Sequence, residues 1–272
     1  MHVLKQDLQN LLNELWNADF NRCIPGQDYA LNLQGRLTGT RTGRDLAQAS
    51  LFSMFNERKI FSKPTYKLFT DLLDNYEMEV GFSENVTKQE LQENNVFLEA
   101  ILNTEVMKIL QRFLIKHQLI RPGPSSLKQE LNKIWFEMYD RGGFRDSCGF
   151  EHVFVGELKG DQIIGLHNWI QIYLQEKKGN IDYKGFFEFG TSNESESPQV
   201  VTIQFTWKDG RIKSLGSSFV GTSPEFEIAF FTAIHLCNVD NEKSFQIGGY
   251  HMDLMHIRKG SHINTSYIIG LD

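Results

Sequence analysis

Three side chains in the second half of the sequence, His152, His167 and Lys213, are of the types that can cleave RNA without a protein nucleophile. Attack by the ribose 2′-hydroxyl needs a base that takes its proton and an acid that protonates the departing 5′-oxygen. Two imidazoles with near-neutral pKa values can fill both roles. A cation beside the non-bridging phosphate oxygens stabilises the charge that develops in the transition state. Taken singly, each residue also has a simpler interpretation, as a structural histidine or a solvated lysine.

The local pattern predicts a different backbone setting for each of these side chains. Alternation in GFEHVFVGE predicts a strand over 151–156, with His152 on the opposite face from its neighbouring Glu and Val side chains. His167 lies at the start of a helix predicted over 166–175. Lys213 follows a strand end and precedes the small residues of 214–218, which we interpret as a loop that lets a substrate approach the backbone.

The elements that must position these residues change character near residue 126. Helical spacing dominates the first part of the chain, and a stretch containing Pro and Gly at 121–126 is the predicted linker. The helices predicted there cover 4–16, 46–55, a segment beginning near Pro64, a segment opened by the capping box 87–90, and 104–117.

Beyond the linker the sequence becomes mixed. Strands are predicted at 151–156, 183–189, 200–207, 244–250 and 263–269, and helices at 127–139, 166–175 and 224–236. We therefore predict an α+β fold with a helical region over 1–126 and a catalytic region over 127–272, in which antiparallel β-sheets have helices packed on them.

Composition limits the class of protein. Hydrophobic residues make up 40% and charged residues 23% of 272 residues, which is ordinary for a globular chain. A net charge of −6 argues against a protein that coats nucleic acid without sequence preference, because such proteins neutralise many phosphates. An enzyme with a few local cations is compatible with this charge.

Further classes are disfavoured by what the sequence lacks. Three widely spaced cysteines without a CxxC pair predict neither a zinc site nor a disulfide framework. The start of the chain reads as an amphipathic helix and not as a signal peptide, and no window is apolar enough to span a membrane. We expect a cytoplasmic or nuclear monomer, unless a leader has been removed and the protein is secreted.

Four stretches of the second half, in order, carry a resemblance to a known family: GFEHVFVGE, GLHNWIQIY, IKSLGSSFVGTSPEFEIA and HINTSYIIG. They resemble the EndoU family of uridylate-specific endoribonucleases. LWNADFNR, IPGQDYALNLQG, PTYKLFTDLLDNYE and TEVMKILQRFLI resemble the N-terminal region of the cellular, vertebrate-like members. The similarity covers nearly the whole chain, whereas coronaviruses carry a distant relative similar only in its catalytic part.

The resemblance implies roles for the three candidate residues. His152 and His167 would be the catalytic pair and Lys213 the third member. The viral relatives suggest His167 as base and His152 as acid, although the sequence does not fix that direction. The implied reaction is transesterification of single-stranded RNA at uridines, which gives 2′,3′-cyclic phosphate and 5′-hydroxyl ends. Neither DNA nor a membrane is an expected partner.

Four further residues take roles from the resemblance. Glu151 and Glu157 match acidic positions beside the first histidine, where a carboxylate would orient the imidazole and raise its pKa; solvent-facing carboxylates are the alternative. Ser217 and Tyr267 match positions that bind uracil in the viral relatives, through hydrogen bonding and ring stacking. Ile268 departs from the proline common at that position.

Metal use and two rival functions complete the expectations. The resemblance implies dependence on Mn²⁺, and in some members a response to Ca²⁺, but the sequence identifies no ligands. One rival is a non-catalytic RNA-binding or regulatory module on the same fold. The other is a metal-dependent phosphodiesterase that uses His251, Asp253 and His256.

Overall fold

A computed structural model describes residues 3–39, 44–192, 195–238 and 244–270. Its helices are α1 (Lys5–Asn17), α2 (Glu57–Ile60), α3 (Pro64–Asp71), α4 (Lys88–Leu102), α5 (Glu105–Lys116), α6 (Ser126–Trp135), a π-helix (Glu151–Val155), α7 (Trp169–Lys177) and α8 (Pro224–Cys237). Its strands are β1 (Tyr29–Leu31), β2 (Phe52–Phe55), β3 (Glu157–Lys159), β4 (Gln162–Ile164), β5 (Ile181–Ser192), β6 (Ser195–Trp207), β7 (Ile212–Phe219), β8 (Ser244–Ile247), β9 (Tyr250–Lys259) and β10 (His262–Gly270).

The strands form three sheets. A five-stranded sheet has the order β3-β4-β7-β6-β5, a three-stranded sheet the order β10-β9-β8, and β1 pairs with β2. All these pairs are antiparallel except β4 with β7. The predicted α+β class with antiparallel sheets and packed helices is confirmed.

Helix α8 lies at the centre of the molecule. It contacts α1, α3 and α5 from the first half of the chain and β9 and β10 from the second half. All but one of its residues are buried, as expected for a helix that is apolar around its whole circumference. One continuous core therefore joins side chains from both halves of the chain. The predicted boundary between 1–126 and 127–272 stays a prediction.

Helices with strong local end signals lie where the sequence predicts them. Thr87 and Glu90 form the expected capping box at the start of α4, and the Thr104 side chain caps α5. Pro64 occupies the first turn of α3, where its missing N–H leaves no donor unpaired. No described helix is long and apolar enough to cross a membrane.

Other predicted elements are wrong. The helix predicted over 46–55 is replaced by an extended segment and strand β2, because its backbone hydrogen-bonds to distant partners such as Gly35 and Lys184. The strand predicted over 151–156 is the π-helix Glu151–Val155, all of whose side chains are buried. The small residues of 214–218, taken for a loop, belong to β7, which pairs with β6 and β4.

Candidate active site

His152 lies on the π-helix, a wide turn often found at functional sites. Gly156, with φ +91°, ends this turn and sends the chain into β3, so Glu157 returns beside His152. The His152 Nδ1 atom hydrogen-bonds the Glu157 carboxylate. Because a carboxylate only accepts, Nδ1 carries the proton and Nε2 is the atom left for chemistry.

Arg141 holds Glu157 in turn. Its Nε lies 3.0 Å from Glu157 Oε2, and its Nη2 donates to the Asn264 carbonyl at 2.7 Å. Arg141 thus links the first histidine to strand β10. No pattern in the sequence indicates this role, since an arginine followed by two glycines also fits an exposed turn.

Glu151 occupies a different environment from Glu157. It is fully buried, and neither carboxyl oxygen has a hydrogen-bond partner among the described residues. Burial, with the charges of Glu157 and Glu84, raises the pKa of Glu151 to about 10, so the group is protonated at neutral pH. Of the two predicted supporting carboxylates, the structure brings Glu157 to the His152 ring and places Glu151 in the interior.

A tight backbone crossing joins the segments that carry the two histidines. Leu166 N donates to the His152 carbonyl at 3.0 Å, and His167 N donates to the Val153 carbonyl at 2.7 Å. Gly165 has φ +64°, and a Cβ atom there would lie 1.8 Å from the His152 carbonyl oxygen. Only glycine fits this crossing.

His167 is oriented by β7 and β10. Its Nδ1 donates to the Ser217 carbonyl at 2.8 Å, which leaves Nε2 unprotonated and able to accept a proton. The Tyr267 ring stacks on the imidazole, with ring centroids 4.2 Å apart and planes 11° apart. Ser217 and Tyr267, both predicted to contact uracil, are therefore grouped around His167 and not around His152.

The segment after His167 is anchored by a buried hydrogen-bond network. Asn168 caps α7 by accepting from the Ile170 and Gln171 amides, and its Nδ2 donates to Glu227 at 3.2 Å. Thr222 donates to the other Glu227 oxygen at 2.8 Å. Burial raises the pKa of Glu227 to about 8. Asn168 and Glu227 are positioning residues that the sequence analysis missed; Glu227 lies within the SPEFEIA motif, the one available signal.

Lys213 lies on β7, opposite Phe205 of β6. Its ammonium group donates to the Gly165 carbonyl, directly beside the crossing that joins the histidine segments. Burial lowers its pKa from 10.5 to about 7. The alternative interpretation of Lys213 as a solvated lysine is therefore excluded, and the structure brings this cation together with the two imidazoles.

Burial dominates the protonation of both imidazoles. It lowers the pKa of His152, and the opposing effect of Glu157 is smaller, so the expected net rise does not occur. Burial and then the Lys213 charge lower the pKa of His167 well below its usual value. Because Lys213 also lowers the pKa of His152, all three groups act on one another electrostatically.

The alternative residues on β9 form a different arrangement. Asp253 accepts from Ser244, whereas His256 lies 3.3 Å from the buried His235 and 3.1 Å from the Ser266 hydroxyl. His251 is exposed. Among the described residues, no group of three or more His, Cys, Asp or Glu side chains could hold a metal ion.

Comparisons with known proteins agree with the resemblance drawn from the motifs. A family model described as "Endoribonuclease XendoU" matches residues 7–268. A poly(U)-specific endoribonuclease from Xenopus tropicalis is 45% identical over 276 residues, covering 97% of this chain and 93% of that protein. A uridylate-specific endoribonuclease from Homo sapiens is 39% identical over 251 residues, covering 91% of this chain and 60% of that protein.

A solved structure is similar over its whole length. It is the structure of XendoU, described as a splicing independent snoRNA processing endoribonuclease, with a TM-score of 0.82 and 42% identity. The similarity covers 99% of each chain.

Proposed function

This chain belongs to the XendoU family of endoribonucleases, and from that premise we propose that it cleaves single-stranded RNA at uridines by transesterification. One observation carries the proposal. His152 and His167 each have Nδ1 hydrogen-bonded and Nε2 left for proton transfer. The buried Lys213 donates a hydrogen bond to the Gly165 carbonyl, at the crossing of the segments that carry the two histidines. This is the set of groups that attack by a neighbouring hydroxyl requires.

Each group has a defined step. His167 Nε2 takes the proton of the ribose 2′-hydroxyl, whose oxygen forms a bond to phosphorus. The bond from phosphorus to the 5′-oxygen breaks, and protonated His152 gives its Nε2 proton to that oxygen. The products are a 2′,3′-cyclic phosphate and a 5′-hydroxyl, with one proton moved from His152 to His167. Lys213 stabilises the charge on the non-bridging oxygens.

Uridine selection is assigned to the His167 side of the site. The Ser217 hydroxyl lies 2.9 Å from the Thr202 hydroxyl, and this pair can hydrogen-bond a pyrimidine edge. One face of the Tyr267 ring is covered by His167, so uracil would stack on the other face of this partly exposed ring. The relatives named for poly(U) or uridylate specificity support this assignment.

Among the described residues, no set of side chains supports the predicted manganese dependence. The site combines two imidazoles, whose Nδ1 atoms are already hydrogen-bonded, with a cationic lysine, and this donor set does not fit a resident divalent ion. We therefore derive no step through a metal. Mn²⁺ and Ca²⁺ stay predictions from the resemblance, which titration of activity with a chelator tests.

The decisive experiment identifies the new 3′ end after incubation with a short oligouridine. A 2′,3′-cyclic phosphate is expected. A 5′-phosphate product whose formation requires His251 and a metal would replace this mechanism with the phosphodiesterase. No cleavage with or without Mn²⁺ would leave only the non-catalytic RNA-binding module.

Substitution of either histidine tests the assigned roles. His152→Ala and His167→Ala are each expected to lower turnover by about 10²–10⁴-fold, because each removes one proton-transfer group. Affinity for an RNA that contains 2′-deoxyuridine should stay close to that of the unchanged protein. Near-full turnover in either variant would refute the assignment.

A further inference from the structure

Two loops form one surface beside the candidate active site. Asp146 accepts hydrogen bonds from the backbone amides of Arg141, Gly142 and Gly143, and also from Gly81 at 2.9 Å. Segment 81–84 of the N-terminal region is thereby fixed against segment 141–146. Four backbone donors on one carboxylate make this a rigid junction.

Additional bonds extend the junction. The Ser83 hydroxyl donates to the Phe144 carbonyl at 2.5 Å, and Glu84 N donates to the Arg145 carbonyl at 3.1 Å. The backbones approach so closely that a Cβ on Gly143 would lie 2.5 Å from the Gly81 carbonyl oxygen. Phe82 and Phe144 are therefore held near each other by the hydrogen bonds between residues adjacent to them in the two loops.

Both phenylalanines point into solvent. Phe82 is 64% exposed and Phe144 70% exposed, in a chain whose phenylalanines mostly lie in the core. Arg145, also exposed, follows Phe144 directly. Two exposed rings with a neighbouring guanidinium are the groups with which proteins hold single-stranded nucleic acid, by stacking on bases and attracting phosphates.

This surface borders the His152 side of the site. Arg141 begins the second loop and binds Glu157, the partner of His152. Burial raises the pKa of Glu84 in the first loop, and the charges of Glu77, Glu90 and Glu157 add to the rise, so this loop lies within electrostatic reach of Glu157. The residues assigned to uracil, Ser217 and Tyr267, instead contact His167.

We propose that the surface formed by Phe82, Phe144 and Arg145 binds the RNA downstream of the cleaved bond, by stacking nucleobases on the two rings. This inference rests on the proposed function: with uridine beside His167, the strand carrying the departing 5′-oxygen leaves past His152. Recognition there is tolerant of sequence, since every base has a face that can stack.

The test compares three substrates of different reach. They are the dinucleotide uridylyl-adenosine, the same step extended by several adenosines on its 3′ side, and the same step extended on its 5′ side. Phe82→Ala and Phe144→Ala are each expected to lower kcat/KM about 5- to 150-fold on the 3′-extended substrate. Both variants should keep the kcat/KM of the unchanged protein on the other two substrates.

Phe20→Ala is the matched control, because Phe20 is 80% exposed and lies outside the two loops. It should alter none of the three values. A loss of the same size on the dinucleotide would mean that the rings act structurally. A loss of kcat/KM confined to the 5′-extended substrate would show that the surface contacts RNA upstream of the cleaved bond, against the proposal. No loss on any substrate would show that the surface does not contact RNA.

Binding measurements separate this inference from the proposed function. Equilibrium affinity for 3′-extended RNA containing 2′-deoxyuridine should fall in the Phe82→Ala and Phe144→Ala variants, whatever ends the enzyme produces. If the unchanged protein binds this RNA but does not cleave the matched ribonucleotide, the proposed function fails and the surface stands. If binding is unaffected by either substitution while cleavage proceeds, only the surface fails.

Discussion

Lys213 is buried, although the proposed reaction requires it to carry a positive charge. An ordinary surface lysine is protonated far above neutral pH, whereas burial lowers the pKa of Lys213 to about 7. Its contact with the Gly165 carbonyl replaces only part of the lost hydration. A phosphate group bound beside Lys213 would raise its pKa again, so substrate binding would favour the charged form of the lysine.

The pH dependence of kcat/KM should reveal this lysine. The proposed reaction needs two protonated groups, Lys213, with a pKa of about 7, and His152, whose pKa burial lowers from its ordinary value of 6.5. Activity should therefore decline on the alkaline side as the pH rises through both pKa values. His167, with its lowered pKa, remains a neutral base on the acid side. The measurement follows cleavage of a uridine dinucleotide from about pH 5 to about pH 9.

Lys213→Arg supplies the control for this profile. Arginine keeps its charge throughout that range, so the part of the decline that Lys213 causes should disappear. The remaining decline should be shallower, because only His152 then loses a required proton. An unchanged alkaline decline in this variant would assign it to a different group.

At the level of elements, the crossing between the π-helix and the turn before α7 fixes the distance between the histidines. Gly165→Ala would force a Cβ into the His152 carbonyl and strain a backbone with φ +64°. We expect a loss of more than about 3 kcal/mol in the free energy of unfolding, together with loss of RNA cleavage. Urea denaturation and kcat/KM measure the two effects.

Gly160 offers a close control for that substitution. Its φ is +60°, and nothing lies within 4 Å of a Cβ built there. Gly160→Ala should therefore cost about 1–2 kcal/mol through backbone strain alone and leave cleavage intact. Equal effects at both glycines would mean that the contact with His152 has no special importance.

The sequence predicts elements well where the determining signal is local. The Thr87 and Thr104 caps lie within a turn of the amides they bind, so α4 and α5 can be predicted from short motifs. Strand β7 cannot be predicted in this way, because Gly216 has low strand preference and the segment is held by pairing with the distant β6. The π-helix fails for a related reason: its alternating sequence is buried on every side.

The site shows the same division. The types of the reacting groups can be predicted because proton transfer needs imidazoles and charge stabilisation needs a cation. The side chains that orient these groups cannot be predicted from the sequence. Asn168 and Glu227, for example, are 59 residues apart in sequence and meet only through folding. The direction in which the pKa of His152 shifts also cannot be predicted from the sequence, because burial lowers this pKa more than Glu157 raises it.

Across the whole molecule, a net charge of −6 limits how RNA can be held. Binding must depend on a few contacts near the cleaved step, since each neutralised phosphate of a single strand contributes about −0.7 to the slope of log K against log salt. We expect a slope between about −1 and −3 for a short oligouridine. Anisotropy titrations over a range of salt concentrations measure it, and a much steeper slope would indicate an extended cationic track.

Helix α8 has a consequence for how the protein can be divided. Because α8 contacts α1, α3 and α5 of the first region, residues 127–272 alone would uncover part of this apolar helix. Expression of residues 127–272 should therefore give aggregation, and calorimetry of the intact chain a single transition. The change from helical to mixed sequence patterns near residue 126 would then lie inside one cooperative folding unit. Activity from fragments would require the two pieces, 1–126 and 127–272, to be mixed and to reassociate.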